Sequence, residues 1–196
     1  MIPKIDRDRV RHHLQSLPLE TGQNKRSEAR AAVALILRKG ADGPEILLIQ
    51  RASRDGDPWS GQMAFPGGKA EPQDESLEQT ARRETGEEVG ADLAKQIELL
   101  GSLADLDAMA RGKRTGLIIT PFVYWISGEA GLTLAPAEVA EAIWVPLLPL
   151  MREEANSTYL YRHRGMDLQL PAYEVKGKTV WGLTYQMLSR FLAGLK

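Results

Sequence analysis

Four charged side chains within six positions, Arg83, Glu84, Glu87 and Glu88, hold the most legible chemistry in the chain. They follow a Phe65-Pro66-Gly67-Gly68 turn and a polar stretch with helix-start signals. Asp74 or Ser76 can serve as N-cap, and Ser76 with Gln79 has capping-box spacing. The helix so started is expected to end near Gly90. At 3.6 residues per turn, Glu84 and Glu88 fall on the stripe of Leu77 and Ala81, with Glu87 beside it. Glu78, Gln79, Arg82 and Gly86 lie opposite. An ordinary surface helix places its acids away from the apolar stripe. Carboxylates three and four residues apart repel one another, and partial burial makes this costlier. Arg83 offers one guanidinium, too little for three acids. The spacing therefore predicts a divalent cation among Glu84, Glu87 and Glu88, and such hard oxygen donors suit Mg²⁺ or Mn²⁺.

From Gly68 to Gly90 the chain resembles the Nudix box, the signature of Nudix hydrolases, written G-x5-E-x7-R-E-U-x-E-E-x-G-U. Gly68, Arg83, Glu84, Glu87, Glu88 and Gly90 match it. Asp74 stands where the early acid falls counting from Gly68, and Glu75 where it falls counting back from Arg83. The hydrophobic positions hold Thr85 and Ala91. This resemblance implies an enzyme that hydrolyses a diphosphate linked to another moiety, by attack of water on phosphorus. Glu84, Glu87, Glu88 and the Gly68 carbonyl would hold the metal, and Arg83 would orient a carboxylate. Bound metal would neutralise phosphoryl oxygens and acidify a water, so electrostatics rather than covalent catalysis would carry the rate. Nudix enzymes often take their general base from outside the box, which makes Glu138 and Glu141 candidates beside Glu88.

The wider context resembles the coenzyme A pyrophosphatase branch of that family. The resemblance rests on Leu47-Leu48 with Arg51 and Ala52, Gly61, the Phe65–Gly68 turn, Asp74, Glu138-Val139, Trp144-Val145-Pro146-Leu147 and Trp181-Gly182-Leu183-Thr184. That branch expects a basic residue four positions before Gly61, where this chain has Asp57. An aspartate there would repel the 3′-phosphate of coenzyme A, with Arg54 a displaced substitute. Coenzyme A-type substrates are the first expectation, and nucleoside diphosphate sugars or dinucleotides the second. A non-catalytic nucleotide sensor is a third, opposed by the presence of all three box glutamates.

Substrate contacts are expected from two further segments. Ala52–Gly61 reads as a rim loop, where Trp59 stacks on a nucleobase or anchors the loop to the core. Asp107–Gly116 reads as a mobile loop, where Arg111, Lys113 and Arg114 clamp phosphates or remain solvated. Arg51 and Arg54 complete the set of expected substrate-binding cations.

Around these residues stand the elements that must position them. The chain has 196 residues, 43% of them hydrophobic, with formal net charge −1. That predicts a folded domain and removes the electrostatic case for nucleic-acid binding, RNA decapping included. With no cysteine, no signal-peptide pattern and no apolar run long enough to span a bilayer, a soluble cytoplasmic protein is expected. Residues 1–30 read as a polar arm with one helix, Val10, Leu14 and Leu17 at helical spacing, ended by Pro18; His12 and His13 read as surface residues. Residues 31–196 read as a single domain without repeats or linkers.

Within it, Ala31–Arg38 and Glu45–Arg51 read as strands of a hairpin across a Lys39–Pro44 turn. Further strands are expected at Ile97–Leu106, at Thr115–Ile126 with a break at Pro121, and at Ala142–Val145. A short helix follows from Leu147 to Met151, an irregular β segment over Tyr159–Val175, and a closing helix over Trp181–Leu195 with Leu183, Met187, Leu188 and Phe191 inward. Periodicity alone supports an α/β or α+β domain. The Nudix resemblance implies an α/β/α sandwich with a mixed central sheet and the loop-helix of the box. Homodimers are common in that family, and the N-terminal arm would contribute to one.

Overall fold

The structure, a computed structural model, describes residues 5–17, 29–57, 59–110, 113–128, 131–163 and 165–195. Helix α1 (Arg7–Ser16) comes first, followed by strands β1 (Ala29–Gly40), β2 (Gly43–Arg51), β3 (Met63–Ala64) and β4 (Gly67–Lys69). Helices α2 (Leu77–Val89) and α3 (Ala91–Gln96) lead into β5 (Ile97–Ser102), β6 (Leu106–Ala110), β7 (Lys113–Ile126) and β8 (Val139–Pro146). The chain closes with α4 (Leu147–Met151), β9 (Asn156–His163), β10 (Met166–Val175), β11 (Lys178–Trp181) and α5 (Gly182–Ala193).

The larger sheet runs β3-β2-β1-β7-β5, with β4 also on β1, β6 on β7 and β8 on β2. Only the β1–β7 pairing is parallel, so the sheet is mixed. Its central strands are apolar on both faces because both faces are covered. Leu35 and Leu37 pack with Val10, Leu14, Met187, Leu188 and Phe191 on one side, while Ala34 and Ile36 pack with Ala81, Val89, Leu93 and Tyr124 on the other. Helix α2 thus forms one outer layer, and α1 with α5 belongs to the other. The α/β/α sandwich with a mixed central sheet is what the molecule has. Among the described residues no helix is long and apolar enough to cross a membrane.

Several boundaries differ from the sequence expectation, each for a tertiary reason. Strands β1 and β2 pair as far as Gly40 and Gly43, leaving a tight turn at Ala41-Asp42. Pro121 does not break β7. There β7 passes from pairing with β6, which ends its ladder at Ile119, to pairing with β5 from Phe122. No neighbour on that edge needs the missing N–H, and the Pro121 carbonyl still accepts from Leu103 N. The same switch splits the expected Ile97–Leu106 strand into β5 and β6. Asp107–Gly116 is largely the β6–β7 hairpin, with Met109 opposite Arg114, rather than a loop. Tyr159–Val175 is a regular hairpin in a second, three-stranded sheet ordered β11-β10-β9. Helix α1, capped by the Asp6 side chain, buries Val10 and Leu14 in the main core, with Leu14 lying against Gly101. His13 packs on Gly194, and His12 is exposed.

Candidate active site

Ser76 is the N-cap of α2: its side chain accepts from Gln79 N, and the Gln79 side chain accepts from Glu75 N. Gly90, at φ 119°, ends the helix. Two adjacent arginines then divide the labour. Arg82 points away from the acids: it pairs with Glu78, donates to the carbonyls of Ala94 and Ile97, and lies over the Tyr124 ring. It fastens α2 to α3. Arg83 points into the acids. Its Nε and Nη2 each reach one Asp74 carboxylate oxygen at 3.0 Å, a bidentate pair. Nη1 reaches Glu84 at 2.9 Å and Glu87 at 3.2 Å, and Nη2 also donates to the Lys69 carbonyl. Asp74 is almost wholly enclosed and accepts further hydrogen bonds from Glu71 N and Thr80 Oγ1. The Arg83 guanidinium first, with these donors, holds its carboxyl far below the usual carboxylate range. Of the two alternatives for the early acid, Asp74 is the one joined to Arg83.

Glu88 is buried at 3% exposure, deep in the packed stripe of the helix. One of its oxygens accepts from Gly67 N at 2.8 Å. Burial pushes its carboxyl up to about 7; Gly67 and Arg51 oppose the shift, while Glu84 and Glu138 add to it. Glu84 is raised too, by burial first and then against the pull of Arg83, with Glu87 and Glu138 adding to the rise. Glu87 is half-exposed at the rim. The turn before the helix is fitted to these acids. A Cβ on Gly68 would lie 2.4 Å from the Glu84 carboxylate, and one on Gly67, at φ 152°, would lie 2.3 Å from the Ala32 carbonyl. Glycine at both positions lets β4 lie against β1 while the acids reach its backbone.

Glu138 belongs to this group and Glu141 does not. Ala52 N donates to the Glu138 carbonyl at 2.8 Å, which places Glu138 at the mouth of the β2–β8 pair, within electrostatic reach of both Glu84 and Glu88. Glu141 is turned to Lys178 at 2.8 Å, and Lys178 also donates to Gln50. The segment before Glu138 is tied to the helix end by Thr133 N to the Val89 carbonyl and Ala135 N to the Glu88 carbonyl. Between them opens a cleft of about 330 Å³ lined by Gly86, Glu87, Gly90, Gly131, Thr133, Leu134 and Ala135. The glycine inside α2 therefore forms part of a cleft wall next to Glu87.

The other expected contacts are placed unevenly. Arg51 pairs with Asp57 at 2.8 Å. Arg54 donates to the Ala137 carbonyl and lies 3.4 Å from Glu138. Trp59 is half-buried, its N–H held by Asp57. Arg114 sits on β7, exposed and paired with Asp107. Arg111 and the Lys113 side chain lie outside the described residues. Sequence reasoning missed the Arg51–Asp57 pair and the strap at residues 133–135, for which no motif gives a signal.

The donor set can be tested for a cation. Among the described residues no group of three His, Cys, Asp or Glu side chains is arranged to hold a metal ion as it stands. Arg83 occupies the space facing Glu84 and Glu87. Yet Glu88 is buried beside two further acids, its one hydrogen-bond donor among the described residues a neutral amide. An all-oxygen group whose acids outnumber the one guanidinium bonded to them fits a hard divalent ion once Glu84 and Glu87 turn from Arg83.

Comparison with known proteins agrees with this geometry. The family model described as the NUDIX domain matches residues 28–163. Nudix hydrolase NudL of Photorhabdus laumondii is 36% identical over 141 residues, 70% of this chain and 71% of that protein. An uncharacterized protein of Schizosaccharomyces pombe is 41% identical over 116 residues, 58% of this chain; the match spans only 35% of that longer relative. Among solved structures, the NUDIX domain of Shewanella oneidensis NrtR complexed with ADP ribose superposes with TM-score 0.50 at 22% identity, covering 72% of this chain and 85% of that one. That last likeness concerns the fold. With the box residues gathered at one end of α2 and a family match over more than half its length, the chain belongs to the Nudix hydrolase family.

Proposed function

We propose that the protein is a Mg²⁺- or Mn²⁺-dependent pyrophosphohydrolase of nucleotide derivatives, acting in the cytoplasm, with coenzyme A-type substrates first and nucleoside diphosphate sugars or dinucleotides second. The observation that carries this is Glu88, buried beside Glu84 and Glu138 with no cationic side chain in contact among the described residues. Glu84, Glu87, Glu88 and the Gly68 carbonyl would hold the cation, which when bound neutralises phosphoryl oxygens and acidifies a water. Arg83, anchored by Asp74, would orient the Glu84 and Glu87 carboxylates at the helix end. Glu138, within electrostatic reach of Glu84 and Glu88 and 3.4 Å from Arg54, takes the role of general base in preference to Glu141, which is turned to Lys178 at 2.8 Å. The loop at Ala52–Gly61, joined to Glu138 through Ala52 N, and the glycine-lined cleft beside Glu87 would receive the two halves of a substrate.

A panel of coenzyme A, ADP-ribose, UDP- and GDP-sugars and dinucleoside polyphosphates, with Mg²⁺, Mn²⁺ or EDTA, tests this reading. Metal-dependent release of two products, each carrying phosphate from the cleaved anhydride, is expected, lost in Glu87→Gln. Ligand binding with no turnover, unchanged in that variant, would make the protein a sensor instead. A homodimer is part of the proposal and is read by sedimentation.

A further inference from the structure

Two cations serve the rim loop, Arg51 at its base on β2 and Arg54 within it, and both are already committed. Arg51 closes β2; its N–H donates to the Gln62 carbonyl at 3.0 Å, so the loop is fastened at its base. The Arg51 guanidinium reaches Asp57 Oδ2 at 2.8 Å, and the other Asp57 oxygen accepts from Trp59 N at 2.9 Å. The pair is largely enclosed, at 30% and 17% side-chain exposure, and Arg51 Nε is buried with no hydrogen-bond partner among the described residues. Arg54 is spent on the Ala137 carbonyl and Glu138. From residue 51 to 57 two arginines stand against Asp55 and Asp57, a net charge of zero. This loop adjoins the acids directly, since Ala52 N donates to the Glu138 carbonyl.

A phosphomonoester on the substrate, beyond the diphosphate to be cleaved, brings about two more negative charges. Such a group reaching the rim meets an arginine whose face is taken by a carboxylate. We propose that Asp57 sets discrimination against substrates carrying that extra phosphate, by holding the Arg51 guanidinium in an internal ion pair. Asp57 is a positioning residue here, acting through Arg51. The inference rests on the reading of the protein as a nucleotide diphosphate hydrolase. Within coenzyme A-type substrates it names the form without the 3′-phosphate as preferred.

Coenzyme A and dephospho-coenzyme A differ by that one group. Asp57→Asn keeps a side-chain oxygen for Trp59 N and removes the charge. The wild-type protein is expected to favour dephospho-coenzyme A in kcat/KM. In D57N the ratio should move toward coenzyme A by about tenfold, the scale of one charge-assisted hydrogen bond, mostly through KM for coenzyme A. Adding Arg51→Gln to D57N should return the ratio toward its wild-type value. A ratio unmoved in D57N, or both substrates falling in proportion, would overturn the proposal and leave Asp57 a loop brace. Should the wild-type protein cleave neither compound, the coenzyme A reading fails. The role of Asp57 is then decided on ADP-ribose and 2′-phospho-ADP-ribose, by the same ratio of kcat/KM or, for a pair bound without turnover, of dissociation constants from calorimetry.

Discussion

Glu88 pairs deep burial with one neutral donor among the described residues, Gly67 N, and two acidic neighbours, and the pull of Arg51 does not offset its burial, so a bound cation would favour its ionised form. Glu88→Gln keeps the shape and the Gly67 hydrogen bond but removes that charge. Turnover with Mg²⁺ should fall by about 10²- to 10³-fold, the scale of losing one preorganised electrostatic group, while the metal-free variant melts no lower than wild type. A variant within threefold of wild type would show that Glu88 is only a packed side chain. Asp74 acts one step further away. Asp74→Asn breaks the bidentate pair with Arg83 and lets the guanidinium swing fully onto Glu84 and Glu87. Lower kcat, a higher metal concentration for half-activity and a reduced melting temperature are expected together. A change in melting temperature alone would mark Asp74 as a brace for the loop and nothing more.

Elements set what those residues can do. The β4 segment lies so close to β1 that residue 67 has no room for a side chain: Gly67→Ala meets the Ala32 carbonyl and requires a positive φ, costing on the order of 3 kcal/mol or more. Urea unfolding should show that loss, and a variant of wild-type stability would mean that β4 can move off β1. Helix α2 also carries a correctable weakness. Thr85 is fully buried, and among the described residues its hydroxyl bonds only back to the Ala81 carbonyl, at 2.7 Å. Thr85→Val should raise stability by about 0.5–1 kcal/mol with unchanged kcat, because that carbonyl keeps its helical partner. The elements that sequence reasoning placed well are those with local causes. Periodicity located Glu84 and Glu88 on the inner stripe, since a helix fixes that from its own geometry. The continuity of β7 through Pro121 was not legible, because it depends on which neighbour strand stops at Ile119 and which begins opposite Phe122. The choice between Glu138 and Glu141 was equally hidden, resting on the pairing of β8 with β2 and on Lys178 arriving from β11.

For the whole molecule, the acid cluster ties stability to pH. The Glu88 carboxyl titrates near 7 when folded against 4.5 for an ordinary glutamate, so the folded protein keeps a proton that the unfolded chain has released. That contribution, roughly 3 kcal/mol, is fully present below pH ~4.5 and is lost as pH rises through 7. Metal-free protein should therefore melt lower at pH 8 than at pH 6, and Mn²⁺ should recover the difference at pH 8 while adding little at pH 5. Scanning calorimetry with EDTA or Mn²⁺ decides it; equal melting at both pH values contradicts the burial of Glu88. Much of the sandwich could be anticipated because apolar runs such as Ala31–Arg38 demand cover on both faces. Asp57 and Arg51, by contrast, meet across an aperiodic loop that no repeat announces. The hydrogen bonds from Thr133 and Ala135 to the last carbonyls of α2 run from main chain to main chain and fix the approach to Glu138, with Leu132 and Leu134 packed on the core beside them. The exposed Thr133 side chain is thereby free to vary and change which molecule is admitted, while the two leucines stay on the core and the span between the helix acids and Glu138 stays gauged by the backbone. Inserting or deleting a single residue between Thr133 and Glu138 would alter that span where exchanging the Thr133 side chain would not.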